Sequence, residues 1–466
     1  MKAIILAAGA GERIRNGGSS LPKPLVRLGG LALLERAVLS ASKAGISEFI
    51  IVVGCKSDEI IFNLENRPAF SQVHWVFNRM WEAGNGSSVL EAKHHISNEP
   101  FLVLMADHLL FPSTISGLIQ HPYHNSQTIM AVDRKMDGIV DIDDATKVKL
   151  NGDKIVKVGK KLTSYDALYV GAAVCSPDFF VALEQVSVNN MGTLSHNQGM
   201  NLLASKGLLE YHDIGDDRWE DIDTIESLKN AEKILYQSLR KPTDGFISRH
   251  LERNLSLRFT RLIINTGIKP NHITIFLVLL GALSGFLFSL QGYWSKVFGA
   301  LVFWATSFLD GCDGEIARLK YMESRLGGWL DLWGDNLVHA MVFMGMGIGL
   351  YRDTGDPDWI GVGSLAVLGV LLSVSWVSWS ILKEKKKKGP IYTSVVDESR
   401  MRHAPAWFSN FVKLANAMSR RDFIFGVIFI TLLCWLDNFL WVACIGSNLY
   451  FLILVIITTV SKNLHA

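Results

Sequence analysis

Six apolar stretches in the second half of the chain, near 272–290, 294–309, 332–351, 359–382, 422–440 and 441–460, constrain the fold more than any other feature. Each is about as long as the roughly 17 to 25 residues a helix needs to cross a bilayer. A spanning segment must satisfy its backbone internally, so this half reads as an all-α six-helix transmembrane bundle. Residues up to about 240 have the mixed texture of a soluble domain, and 466 residues exceed what one hydrophobic core serves. The chain therefore divides into a cytosolic domain over 1–232, a linker with an interfacial amphipathic helix over 233–268, and a six-span domain over 269–466.

The loop that opens KEKKKKG (383–389) and adds Arg400, Arg402, Lys413, Arg420 and Arg421 is strongly basic, whereas RDTGDPDW (352–359) is mainly acidic. Positive loops stay on the cytoplasmic side, which puts the N-terminal domain and the C-terminus in the cytoplasm of a cell-membrane protein. A net charge of +2 gives no sign of a polyanionic partner, so no nucleic acid is expected. Five cysteines without a CxxC spacing suggest neither a disulfide framework nor a zinc site. Between the modules, Phe246, Leu251, Leu255, Leu262 and Ile263 alternate with Arg249, Arg253, Arg258 and Arg261. That pattern suits a helix in the headgroup plane or a linker helix packed on the bundle.

The apolar half carries four carboxylates where it should carry none. Asp310, Asp313 and Ala317 fall at i, i+3 and i+7, and Asp331 and Asp335 at i and i+4, so each set lines one face of its helix. A helix-end aspartate gains roughly 0.3 to 1 kcal/mol from the dipole, which accounts for one of them and not for four. A carboxylate deep in a bilayer costs roughly 2.5 to 3.5 kcal/mol, so the group needs cations, and oxygen ligands suit Mg²⁺, Mn²⁺ or Ca²⁺.

DGCDGEIARLKYMESRLGGWLDLWGD (310–335) fits DxxDGxxAR, eight residues, then GxxxDxxxD, without a departure. In this it resembles the CDP-alcohol phosphotransferase family, and KPNHIT (269–274) resembles the PNxxT that opens the family's first span. The resemblance implies attack of an acceptor hydroxyl on the β-phosphoryl group of a CDP-alcohol, with CMP leaving. It also implies that Asp310, Asp313 and Asp331 hold metals and that Asp335 ligates or acts as general base. Gly314, Ala317 and Arg318 then line the cytidine nucleotide, and the bundle forms a homodimer. Arg420 and Arg421 are available by position for a phosphorylated acceptor.

In the first half, AIILAA, FIIVVG, VHWVF, FLVLMAD and TIMAV alternate with helical segments such as LALLERAVLSASKAGI, the pattern of an α/β doubly wound (Rossmann-like) sheet, largely parallel. KVKLNGDKIVKV carries a hairpin signal at Asn151 and Gly152. LAAGAGER followed by PKPLVRLGG lacks a Walker lysine and resembles the sugar-phosphate nucleotidyltransferases. That resemblance implies that Gly9, Gly11 and Arg13 cradle a nucleoside triphosphate while Lys23 stabilises charge at the α-phosphate. Asp107 and Asp221 then bind Mg²⁺, Asn85, Gly86 and Ser87 contact the base, and Lys160 reaches the substrate phosphate. An Asp at a strand end is also a common helix cap, Asp223 competes with Asp221, and 85–87 and 160 also read as turns.

A nucleotidyltransferase makes an activated alcohol and a CDP-alcohol phosphotransferase consumes one. The order of modules resembles a bifunctional family that works on inositol phosphates. This implies CTP and inositol 1-phosphate as substrates, CDP-inositol as intermediate, a second inositol 1-phosphate as acceptor, and Mg²⁺ or Mn²⁺ at both sites. No residue by itself names inositol, so another alcohol phosphate with a lipid acceptor remains the alternative. A transporter or receptor with a degenerate nucleotide sensor would have no use for all four aspartates.

Overall fold

The computed structural model describes residues 1–16, 18, 20–122, 126–189, 192–240, 252–383, 412 and 423–463. The chain forms two compact units, Met1–Gln237 and Ser238–Ala466. The first closes with the helix Ile225–Gln237, a few residues past the boundary expected at 232.

The first unit is built on strands Lys2–Ala7 (β1), Glu48–Val53 (β2), Val73–Phe77 (β3), Phe101–Met105 (β4), Thr128–Asp133 (β5), Lys147–Asn151 (β6), Lys154–Gly159 (β7), Ala167–Cys175 (β8) and Leu209–Asp213 (β9). They form one nine-stranded sheet in the order β3-β2-β1-β4-β8-β5-β9-β7-β6. β1 is apolar in every position after Lys2 because helices cover both faces: Ala3, Ile5 and Ala7 enter one core, Ile4 and Leu6 the other. The β3-β2-β1-β4 arm is parallel, as the alternation of strands and helices predicts. The other arm is mixed, with β8 antiparallel to β4 and β5, and β5 parallel to β9. The expected hairpin contributes to that mixture: β6 and β7 pair antiparallel across Gly152, which has φ +60°.

Chain order decides where this sheet opens. β1, β2 and β3 build outward in one direction, and β4 is then added on the other side of β1. The loops leaving β1 and β4 diverge at that switch point, where open α/β sheets form a crevice for ligands.

The second unit contains helices Arg253–Ile263 (α1), Pro270–Ser289 (α2), Tyr293–Leu319 (α3), Arg325–Thr354 (α4), Asp358–Lys383 (α5), Phe423–Leu432 (α6) and Leu436–Asn463 (α7). α2 and α4 pack backbone to backbone: a Cβ on Gly345 would stand 2.1 Å from the carbonyl of Gly285, and one on Gly349 2.0 Å from that of Phe288. Small residues permit such approach where helices associate by close packing. Among the described residues, three helical segments are long and apolar enough to cross a membrane: α2, α5 and Leu436–Thr459 within α7. α3 and α4 have the length, with 27 and 30 residues, but carry the acidic groups. The break before the last helix lies at Leu433–Trp435, with Cys434 at φ +58°, and not at the expected 440/441. No Gly or Pro announces that turn, and the apolar run continues through it.

α1, in the linker segment, packs against α3. Its stripe Arg253, Ser256, Thr260 faces α3, where both hydroxyls donate to Glu315 at 2.6 Å and Arg253 reaches it at 3.0 Å. The helix is therefore packed on the bundle through its polar side, while Phe259 and Leu262 point outward. Phe246, Arg249 and Leu251 lie outside the described residues.

Two candidate active sites

At the switch point of the first unit, residues 9–13 follow β1 and arch over Lys23. Gly11 has φ +60°, and a Cβ there would meet Lys23 Cβ at 2.5 Å, so glycine is required both for the turn and for the lysine beneath it. Lys23 is buried on a short 3₁₀ turn. Its Nζ donates to Asp107 Oδ2 at 2.5 Å and to Asp223, and lies 3.9 Å from Asp221. These groups border a cavity of about 400 Å³ whose wall includes Gly9, Gly11, Arg13, Lys23, Asp107 and Asp223.

Asp221 reaches this place through a two-residue ladder in which it pairs with His108 and Glu220 with Leu109. His108 Nδ1 lies 2.9 Å from Asp107 Oδ1 and 3.8 Å from Asp221 Oδ1. Burial opposes the charge on Lys23, yet Asp107, Asp221 and Asp223 together raise its pKa. Burial would lift the Asp107 carboxyl, but Lys23 and His108 hold it well below the usual carboxylate range. Asp221 is shifted the other way, by burial and by the like charges of Asp107 and Asp223, against the pull of His108 and Lys23. Asp221 Oδ1 is buried without a hydrogen-bond partner, an unmet demand that a divalent cation between Asp107 and Asp221 would satisfy.

Arg13 is surrounded by acid. It binds Asp144 at 2.5 Å and Asp223, with Asp141 at 3.5 Å, and Lys160 takes the other oxygen of Asp144 at 2.9 Å. Two residues 147 positions apart, expected on different phosphates, thus share one carboxylate. Asn85, Gly86 and Ser87 begin the helix Asn85–Glu91, where Asn85 accepts from the backbone of His196 and Ser87 donates to Gly84. They do not belong to the cavity wall.

In the second unit, α3 carries Asp310 and Asp313 and α4 carries Asp331 and Asp335, across the short turn 320–324. Carboxylate oxygens of Asp310, Asp331 and Asp335 lie within 4.8 Å of one another. Asp313 is buried and accepts from Thr274 Oγ1 at 2.7 Å and from the Gly314 amide at 2.5 Å. The threonine of the PNxxT segment is thus a direct partner of a motif aspartate. Arg318 runs back along its helix toward Gly314, and its Nε is buried without a partner. A small cavity beyond the acids is lined by Asp310, Asp335, Thr306, Ser307 and His339. Three carboxylates converging between two helices fit a hard divalent cation. Arg420 and Arg421 lie outside the described residues, as do 384–411 of the basic loop.

Several groups at these sites were not expected as functional. Asp223 was visible only as a competitor of Asp221, Asp144 only as part of an acidic run (DIDDA, 141–145), and His108 only as the neighbour of Asp107. Glu315 sits inside the motif at a variable position, yet it is fully buried and anchors α1.

Two family models match this chain, that of the MobA-like NTP transferase domain over residues 3–177 and that of the CDP-alcohol phosphatidyltransferases over residues 268–447. A bifunctional IPC transferase and DIPP synthase from Rubrobacter xylanophilus is 34% identical, covering 77% of this chain and 80% of its own. Its namesake from Aquifex aeolicus is 28% identical, covering 96% of this chain and 95% of its own. The solved inositol-1-phosphate CTP transferase from T. maritima is 25% identical, covering 50% of this chain and 95% of its own with a TM-score of 0.45.

Proposed function

This chain belongs to the family of bifunctional IPC transferases and DIPP synthases, and from that premise we propose that its two units catalyse consecutive steps. The first makes CDP-inositol and pyrophosphate from CTP and inositol 1-phosphate. The second transfers phosphoinositol from CDP-inositol to another inositol 1-phosphate, releasing CMP and leaving a phosphorylated di-inositol phosphodiester. The observation that carries this reading is the pair of acidic clusters, one beside a buried lysine at a sheet switch point, the other between two helices of a bundle.

In the first step a phosphate oxygen of inositol 1-phosphate attacks the α-phosphorus of CTP, and the bond to pyrophosphate breaks. Lys23, held charged by its carboxylates, neutralises the α-phosphate and the leaving group. Arg13 and Lys160 exchange Asp144 for phosphate oxygens when the substrates arrive. Asn85, Gly86 and Ser87 take the base. Asp107 and Asp221 hold Mg²⁺ or Mn²⁺, which when bound draws charge from the triphosphate.

In the second step a hydroxyl of the acceptor attacks the β-phosphoryl group, Asp335 takes its proton, and the bond to CMP breaks. Asp310, Asp313 and Asp331 hold divalent cations. Gly314, Ala317 and Arg318 bind the cytidine nucleotide, for which the unpartnered Arg318 Nε offers a donor. Arg420 and Arg421 serve the acceptor phosphate.

The second unit crosses the cell membrane six times as a homodimer, with the first unit and the C-terminus cytoplasmic. Support comes from three segments of sufficient length and hydropathy among the described residues, from the length of α3 and α4, and from the basic loop after α5. Phosphorus NMR of the purified protein with CTP, inositol 1-phosphate and Mg²⁺ tests the sequence of steps. Transient CDP-inositol followed by CMP and a water-soluble diester is expected. CDP-inositol that accumulates without diester would turn the second step toward a lipid acceptor, and no reaction would remove inositol 1-phosphate as first substrate.

A further inference from the structure

His108 occupies a seat that the sheet is distorted to provide. One face of its ring stacks on Trp219, with centroids 5.9 Å apart and planes 8° from parallel. On Gly171, in the middle of β8, a Cβ would stand 2.4 Å from the ring. Gly171 has φ +87°, and the pairing of β8 with β5 shifts register between Tyr169 and Ala173. An irregularity inside a central strand, at a glycine, marks a place where another group must come close. With Trp219 and Gly171 confining the ring, the ladder to Asp221 and adjacency to Asp107 fix where Nδ1 points.

Nδ1 lies 2.9 Å from Asp107 Oδ1 and 3.8 Å from Asp221 Oδ1, and one ligand atom from each of the three side chains fits within a 4.8 Å span. Neighbouring ligands on a hexacoordinate ion with bonds of about 2.1 Å stand about 3 Å apart, in the range of the shorter of these separations. A hydrogen bond from His108 to Asp107 alone would leave Asp221 Oδ1 buried and unpartnered. We propose that His108 Nδ1, with Asp107 and Asp221, is a ligand of the divalent cation at the first site. The first site then has a nitrogen donor, whereas at the second the groups whose ligand atoms converge among the described residues, Asp310, Asp331 and Asp335, are all carboxylates. Imidazole shifts preference from Mg²⁺ toward Mn²⁺, Co²⁺ and Zn²⁺, so the two steps differ in the metals they accept.

This inference rests on the reading of the first unit as a metal-dependent cytidylyltransferase, and the test separates the two. Full-length protein carrying Asp331→Asn, to disable the helical site, is loaded with substoichiometric Mn²⁺ and CTP and measured by pulsed EPR. Nitrogen modulation is expected that changes when the histidines carry ¹⁵N and disappears in the added variant His108→Asn, with Mn²⁺ affinity lower by about tenfold or more. The ¹⁵N comparison needs no change at His108, so it holds even where that variant folds poorly. Bound Mn²⁺ without a histidine nitrogen would overturn the ligand and leave the cytidylyltransferase reading standing. CDP-inositol formation that proceeds without any divalent cation would overturn both.

Discussion

The two acidic clusters solve the same problem by opposite routes. In the first unit the carboxylates come from segments more than a hundred residues apart and converge on a buried ammonium, Lys23 to Asp107 and Asp223. In the second they come from consecutive helices within 26 residues of chain and converge on one another, with Thr274 supporting Asp313. Charge at the first site is balanced in part by the protein, and Lys23 and His108 hold the Asp107 carboxyl ionised in the fold itself. Local spacing builds the second cluster, and sheet topology builds the first.

The largest effects should separate the steps completely. Asp335→Asn is expected to lower the second step by about 10² to 10⁴ and leave CDP-inositol formation intact, so that phosphorus NMR shows the intermediate accumulating. Asp107→Asn is expected to reverse this, removing CDP-inositol synthesis while supplied CDP-inositol is still consumed. If either variant lost both steps, the separation of the two sites would be untenable.

Next in size are changes to the supporting groups. Gly11→Ala puts a Cβ 2.5 Å from Lys23 in a backbone conformation that costs about 1 to 2 kcal/mol for other residues. The first step should fall about tenfold with the second unaffected, measured by coupled pyrophosphate release and by CMP release. Thr274→Val removes a hydrogen bond to a carboxylate, of the kind worth about 1.5 to 3 kcal/mol. It should slow the second step about tenfold or more, Thr274→Ser should restore most of the rate, and an unchanged rate would deprive Asp313 of its support.

A last expectation concerns the stability of the first unit alone. His196 is fully buried between Tyr169 and Phe179, both ring nitrogens lack partners, and burial lowers its pKa to about 4. Unfolded histidine titrates near 6.5, so on acidification the unfolded chain takes the proton first and stability is lost as pH falls from about 6.5 toward 4. Between pH 7 and pH 5 this amounts to about 2 kcal/mol. Calorimetry should show the melting of the first unit moving down over that interval, less so in His196→Phe, and an equal shift in both would exclude His196 as the cause.

Much of both units was legible in the chain. β1 and β2 follow from unbroken apolar runs, the hairpin from Asn151 and Gly152, and the helical pair from the DxxDGxxAR and GxxxDxxxD spacing, because each rests on contacts within a few residues. Other features were not. The mixed arm of the sheet depends on which strands meet β8, the break at Cys434 on a turn without glycine, and the inward polar face of α1 on Glu315 more than fifty residues away.

By itself the sequence determined the division into a half of mixed composition and an apolar half, the identity of the charged groups in each, and the helical face of every motif aspartate. Periodicity and composition act over one or two turns, and those statements need nothing longer. Only the tertiary structure decided that Asp223 shares Lys23 with Asp107, that Asp144 joins Arg13 to Lys160, and that Gly171 makes room for His108 beside Asp221. Those contacts depend on strand order, because β4 lies beside β1 and the ladder carrying Asp221 pairs with the strand that begins at His108, and no local pattern in the chain encodes that order.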